Sequence, residues 1–365
     1  MEAWFDAAKT GNIKILEDYL SSNVDVDSKT DKSETALMFA AMNGQVECLQ
    51  LLIDAKADIE ARNDYGWTPL TLAARYGHID CLRLLLEAGA DVDVPDYDGQ
   101  SALLLAAKYG HTACAQCLIN ANADIEAQDD DGWSALMTAA QHGSVESLEL
   151  LINSSANVES KSDDGWTALM LAAQNGHSMC VKILVNTQAD VSAKNGQGES
   201  VVFFAAQNGH SECLQLLIAA KADVDTVDND GWTPLNMAAQ CGHSECLRLL
   251  VDAGAAIESK EESGWAALNT AASYGRDQCM LLLLSAKADI ERRVDDGFTP
   301  LVSAAYMGQM GCVQLLIDLG ADLEAETDDG WTALMAAAQG GHSFCVVLLA
   351  NEKRRWSSIT YCSSP

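Results

Sequence analysis

A stretch of fifteen residues, Asp163 to His177, returns along this chain every 33 residues without insertion or deletion, and that period constrains the fold more than any other property. The stretch reads DDGWTALMLAAQNGH. Asp163-Asp164-Gly165 is a turn signal, because Gly supplies the positive φ a tight turn needs. Thr167 is placed to cap a helix, its hydroxyl accepting from an otherwise unpaired backbone N–H. Leu169, Ala172 and Ala173 form the apolar stripe of a short helix, and Gly176 stops it in the left-handed conformation. His177 opens a second amphipathic helix through Val181, Leu184 and Val185. The stopping glycine recurs at Gly11, Gly44, Gly77, Gly110, Gly143, Gly176, Gly209, Gly242, Gly275, Gly308 and Gly341. A period of this size signals a stacked array, in which each repeat buries its apolar face on its neighbours.

A chain of 365 residues could otherwise be two globular domains, but stacked repeats share one continuous core at any length. The 22 basic and 53 acidic side chains leave a net charge of −31. Such a surface repels nucleic acid and anionic membrane and attracts basic partners at low salt. The N-terminal MEAWFDAAKTGN is acidic and has no apolar core segment, so no secretion signal is expected. No run approaches a membrane span in length. Twelve cysteines in such a chain point to a reducing, intracellular compartment, cytoplasmic or nuclear.

Residues 1–29 read as an N-terminal capping unit, with Trp4 in the place of the repeat's core Leu and Ile13, Ile15, Leu16, Tyr19 and Leu20 in its second helix. Residues 30–351 read as ten regular repeats, and 352–365 as a short polar tail ending in disorder. Thr35, Thr68, Ser101, Ser134, Thr167, Ser200, Thr233, Thr299 and Thr332 are the expected N-caps. Pro69, Pro234 and Pro300 follow their caps at the first helical position, where a missing N–H costs nothing. Ala266 breaks the cap series, at a local cost of about 1 kcal/mol. In the tail, Arg354-Arg355-Trp356-Ser357 has the form of a basophilic kinase site.

Gly231-Trp232-Thr233-Pro234-Leu235-Asn236-Met237-Ala238-Ala239-Gln240-Cys241-Gly242-His243 and Gly89-Ala90-Asp91-Val92 resemble the signature of the ankyrin repeat family. The resemblance covers residues 1 to about 350. It implies an all-α solenoid of eleven units, each a hairpin-like turn followed by two antiparallel helices. Turns and first helices would line a concave face, which in this family usually binds proteins. Three departures stand out. The family's His after Pro-Leu is replaced by Met38, Thr71, Leu104, Met137, Met170, Phe203, Asn236, Asn269, Val302 and Met335, which puts its bonds between units in question. The Gly after the second helix survives only at Gly89, Gly254 and Gly320; Lys56, Lys221 and Lys287 replace it, and a left-handed Lys costs about 1–2 kcal/mol. The family's Asn near the repeat end is acidic here, at Glu60, Asp93, Glu126, Glu159, Asp225, Glu258, Glu291 and Glu324, so its hydroxylation is not implied.

A strict period stacks equivalent residues into columns. The cysteine column is Cys48, Cys81, Cys114, Cys180, Cys213, Cys246, Cys279, Cys312 and Cys345, with Ile15 and Ser147 in the remaining slots. Adjacent repeats stand about 8–10 Å apart. Disulfides need Cα atoms within about 7 Å, and zinc needs four ligands about 2.3 Å from one point. One column supplies neither, and Ile15 in the slot indicates core packing, so no metal or cofactor is expected. Cys114-Ala115-Gln116-Cys117 has no second ligand pair. Cys241, at a first-helix end, is the expected accessible thiol. His78, His111, His177, His210, His243 and His342 each follow the stopping Gly and suit a structural role at the turn or second helix. Neither a nucleophile–base–orienter set nor a phosphate-cradling loop is apparent, so the chain reads as non-enzymatic.

An aromatic column, Trp67, Trp133, Trp166, Trp232, Trp265, Phe298 and Trp331, follows the turn glycine, and acidic residues precede it, Asp164 and Asp230 among them. It reads in two ways. The rings and carboxylates could form a ribbon for Lys or Arg, or each ring could pack on the neighbouring turn and lock the stack. Variable positions at the first-helix ends carry Tyr76 and Tyr109 near the start, His142 in the middle, and Tyr274 and Tyr306 near the end. Phe203, in a repeat lacking the Trp, marks a docking notch or a looser repeat. These columns together read as the surface of a monomeric scaffold binding a protein with a basic segment. The alternative is a regulatory or targeting module within a larger assembly, with no ligand of its own.

Overall fold

The computed structural model describes residues 2–22, 24–259, 261 and 264–362, the stretch 356–362 by backbone alone. Among the described residues are 22 helices in antiparallel pairs and no strand, only isolated bridges such as Gln128 to Ser134. The chain forms two compact units, Met1–Asp190 and Val191–Pro365.

The repeat beginning at Asn63 shows how the local sequence dictates the structure. Asn63 Oδ1 accepts from the backbone N–H of Tyr65 and of Trp67, both at 3.0 Å, which closes the turn around Gly66. Thr68 then starts the helix Pro69–Tyr76. Its hydroxyl accepts from Thr71 N at 3.2 Å, and Thr71 Oγ1 accepts from Thr68 N at 2.8 Å, so two otherwise unpaired donors are satisfied reciprocally. Gly77, at φ +76°, ends that helix, and Ile79–Glu87 runs back. The same cap bond forms at Thr35, Ser101, Ser134, Thr167, Ser200, Thr233 and Thr299. Thr332 differs, occupying the cap position without a side-chain bond, and Ala266 has none to make.

Packing follows the small residues. Pro69–Tyr76 lies between Ala36–Met42 and Ala102–Lys108, with Ala73 and Ala74 fully buried, and first helices pack on one another more extensively than second helices do. In the second compact unit Pro300–Tyr306 lies in the same way between Ala267–Ser273 and Ala333–Gln339. Leu82 and Leu85 fill the space between helices, and truncating either to Ala would cost about 2–5 kcal/mol. Trp4 is fully buried in its Leu slot. Ile15 is more than a third exposed, because no described helix covers the outer side of the first pair; its position in the cysteine column is therefore not a core position, contrary to expectation.

Two sets of side-chain latches join successive repeats. His78, His111 and His177 each place Nε2 3.0 Å from a first-helix carbonyl of the preceding repeat, at Met42, Arg75 and Gln141. A carbonyl oxygen only accepts, so Nε2 carries the proton. Gln45, Arg276 and Gln309 make the same bond from the same position. The acidic residues near the repeat ends reach forward instead. Glu60, Asp93, Glu126 and Glu159 accept from the backbone N–H of Asp91, Asp124, Asn157 and Asp190 at 2.8–2.9 Å. Asp225, Glu258 and Glu291 do so in the second unit.

The slot where the family's His is missing recovers a bond between repeats at its two Asn residues. Asn236 Nδ2 donates to Trp265 O at 3.2 Å, and Asn269 Nδ2 donates to Arg292 O at 3.0 Å. Lys56, Lys221 and Lys287 adopt φ of +68°, +64° and +70°, the left-handed strain expected of them. The last helix, Ser343–Cys362, carries the backbone past Asn351 as helix, where a disordered end was expected. The side chain of Ser357 lies outside the described residues.

Candidate functional site

The rings of the aromatic column are half-buried at Trp67, Trp133, Trp166, Trp232, Trp265, Phe298 and Trp331 alike. Each Trp of the column is set by the side chain that begins its turn. The backbone N–H of Trp133 donates to Asp129 Oδ1 at 2.8 Å, that of Trp166 to Ser162 Oγ at 3.0 Å, that of Trp232 to Asp228 Oδ1 at 2.8 Å and that of Trp331 to Thr327 Oγ1 at 3.1 Å. At Trp67 the ring also bonds across repeats, Nε1 donating to Asp96 Oδ2 at 3.0 Å. At Trp67 the column thus ties one turn to the next, and every ring of the column keeps part of its surface in solvent. Burial raises the Asp129 carboxyl above its usual range, even though N–H donors from Trp133 and Asp131 favour the charged form.

The turn-tip acids Asp64, Asp98, Asp131, Asp164, Asp230, Asp296 and Asp329 are exposed. Tyr76, Tyr109, Tyr274 and Tyr306 are exposed at first-helix ends, as is His142, whose Nδ1 lies 2.9 Å from Thr138 O. Phe203 is not a surface residue. It is 2% exposed, packed edge-on against Phe204 at 6.1 Å, because its slot is the one Met137 and Met170 fill in the core. It cannot contact a partner from there.

The two aromatic patches differ in what fills them. In the first, the Arg75 guanidinium lies 4.6 Å from the centre of the Trp67 ring, 4.9 Å from Tyr109 and 5.9 Å from Tyr76. A cation over those ring faces is held by their quadrupoles, so the first patch already contains its cation. Arg75 carries no mark of this in the sequence beyond lying beside Tyr76 and eight residues after Trp67. In the second patch Phe298 meets Tyr306 edge-on at 6.0 Å. Beside it, Trp232, Trp265, Tyr274, Met307, Glu261 and Ser273 line a cavity of about 480 Å³.

The column cysteines Cys48, Cys81, Cys114, Cys180, Cys213, Cys246, Cys279, Cys312 and Cys345 are buried free thiols. Burial pushes Cys81, Cys114, Cys180, Cys246 and Cys279 up to about 11, and Cys312 higher still, where its thiol also donates to Asp277 Oδ1. Cys241 and Cys117 are half-buried. Burial also raises Cys241, opposed by the nearby Arg276 guanidinium.

A protein-family model described as ankyrin repeats (3 copies) matches residues 4–96, 88–162, 149–228, 202–294 and 288–357. No curated protein matches the chain.

Proposed function

The chain belongs to the ankyrin repeat family, whose members are protein-interaction modules, and we propose that it is a non-enzymatic intracellular scaffold holding a protein partner against its turns and first helices. Those elements line the concave side in this family. The partner's contacting segment carries Lys or Arg among apolar residues. One observation carries this reading: in repeat after repeat an exposed turn-tip carboxylate, such as Asp164 or Asp230, stands two residues before a half-buried ring, Trp166 or Trp232. Aligned carboxylates steer a cationic segment, and the rings supply contacts that salt does not screen.

Crosslinking mass spectrometry on the full chain in native extract identifies the partner and its contacts. Raising salt from 0.1 to 1 M shortens the Debye length from about 10 to about 3 Å and should slow association more than it speeds dissociation. Asp164→Asn with Asp230→Asn should lower the association rate, and Tyr76→Ala with Tyr109→Ala should raise the dissociation rate. A captured partner whose binding is indifferent to salt and to both pairs of substitutions would refute the acidic-aromatic surface.

A further inference from the structure

We infer that the cavity between Trp232 and Trp265 is a receptor for an arginine side chain of a polypeptide partner, an inference that rests on the protein-binding reading above. The molecule contains its own precedent. Position by position, at a distance of six repeats, Trp265 corresponds to Trp67, Tyr274 to Tyr76 and Ser273 to Arg75. In the first patch Arg75 fills the space over the Trp ring. In the second the same backbone position carries Ser273, and the space is a cavity of about 480 Å³.

Four further exchanges shape that cavity for a guest cation. Leu72, buried beside Trp67, corresponds to Thr270, which is smaller and ties its hydroxyl to Ala266 O at 3.1 Å. Glu34 corresponds to Trp232, which adds an aromatic wall where Met307, in the place of Tyr109, removes one. Asn63, which closes the first turn, corresponds to Glu261, which closes the second through Oε1 to Trp265 N at 3.0 Å and brings a carboxylate to the lining. The wall also holds a polar group without a mate. Ser273 is 5% exposed and its Oγ has no hydrogen-bond partner among the described residues, although its carbonyl is latched by Gln309 at 3.0 Å. A buried hydroxyl in that state is costly unless a donor arrives. A guanidinium offers five N–H donors, a flat face for indole and a charge for Glu261, and no apolar or anionic side chain offers the donors together with the positive charge.

The test uses the full chain labelled with 5-fluorotryptophan, which reports on all eight Trp residues by fluorine NMR, and N-acetyl-arginine amide as the probe. Saturable shifts should fall on the signals of Trp232 and Trp265, assigned by Trp→Phe variants. The citrulline analogue, equal in shape and uncharged, should bind about tenfold more weakly or less. Ser273→Arg should fold and abolish the response by filling the cavity from within, as Arg75 does. Should that variant fail to fold, Glu261→Gln, which keeps the bond to Trp265 N, should weaken the probe about tenfold. Unsaturable shifts, equal binding of citrulline, or a response undiminished in a folded Ser273→Arg or in Glu261→Gln would overturn the inference. A probe that binds while the full chain crosslinks to no polypeptide would remove the scaffold reading and keep the pocket; a crosslinked partner without a probe response would remove the pocket alone.

Discussion

The ring of His177 occupies the space that a side chain on Gly143 would need: a Cβ there would stand 2.5 Å from His177 Nδ1. The glycine is therefore required twice, once for its φ of +68° and once because the next repeat's latch lies against it.

Gly143→Ala is accordingly expected to cost more than a left-handed alanine alone. The backbone contributes about 1–2 kcal/mol, and displacing the bond from His177 to Gln141 O adds about 1 kcal/mol. Gly89→Ala is the control, since φ is +92° there and nothing lies within 4 Å of its Cβ position. Urea titration should show the larger loss for Gly143→Ala, and equal losses would show that the ring contact carries no energy.

Ala266→Thr is expected to stabilise the protein by about 2 kcal/mol. In the preceding repeat Thr233 Oγ1 accepts from Asn236 N at 3.1 Å and donates to Asn236 Oδ1 at 2.9 Å. At Ala266 both bonds are missing, and Asn269 Oδ1 is buried without a partner. The cap contributes about 1 kcal/mol and the rescued acceptor about as much again. The denaturant midpoint should rise at unchanged slope. An equal rise in Ala266→Val, which has the shape without the hydroxyl, would discount the explanation.

Asp129→Asn should raise the melting temperature at neutral pH. Burial raises the Asp129 carboxyl in the folded chain. A group that holds its proton more tightly when folded adds stability as pH falls through its range and loses it as pH rises. Asparagine avoids that loss and keeps an Oδ1 for the two N–H donors, as Asn63 does at the equivalent position. The advantage should shrink as pH falls into the carboxylate range. Parallel melting curves at every pH would contradict it.

Maleimide labelling at pH 7 should reach Cys117 and Cys241 before any column thiol whose side chain is described. A thiol at about 11 is ionised in roughly one molecule in ten thousand at that pH, and Cys81 is also fully buried. Rapid uniform labelling of Cys81, Cys213 and Cys279 without denaturant would mean that the repeats open far more often than their packing implies.

The helix pairs, their caps and their left-handed stops were legible because each depends on residues a few positions apart, as Thr68 and Gly77 do. The candidate surface was legible only as columns. Phe203 and Met170 share a slot, and only packing shows that the slot faces inward. Nothing in the sequence singles out Arg75, whose guanidinium lies over Trp67 and whose contact with Tyr109 depends on the next repeat. The acids near the repeat ends show in the sequence only as a replaced Asn, and the backbone N–H groups they satisfy lie 31 residues ahead. For Tyr109 and for the repeat-end acids, the partner sits one repeat away, where spacing alone does not say which atoms meet.

The latches give the chain a quantised length. His177 reaches back 36 residues and Glu126 forward 31, and the same two joints recur in other repeats, as at His78 and Glu60. Excising Asp129–Lys161, one whole period, would bring His177 to Lys108 O and Glu126 to Asp190 N, with every donor again facing an acceptor. Excising thirty residues would leave both joints out of step. Such an array can gain or lose members by copying whole modules, each new seam being prefabricated, while a change of any other size must be answered by new chemistry at two joints at once.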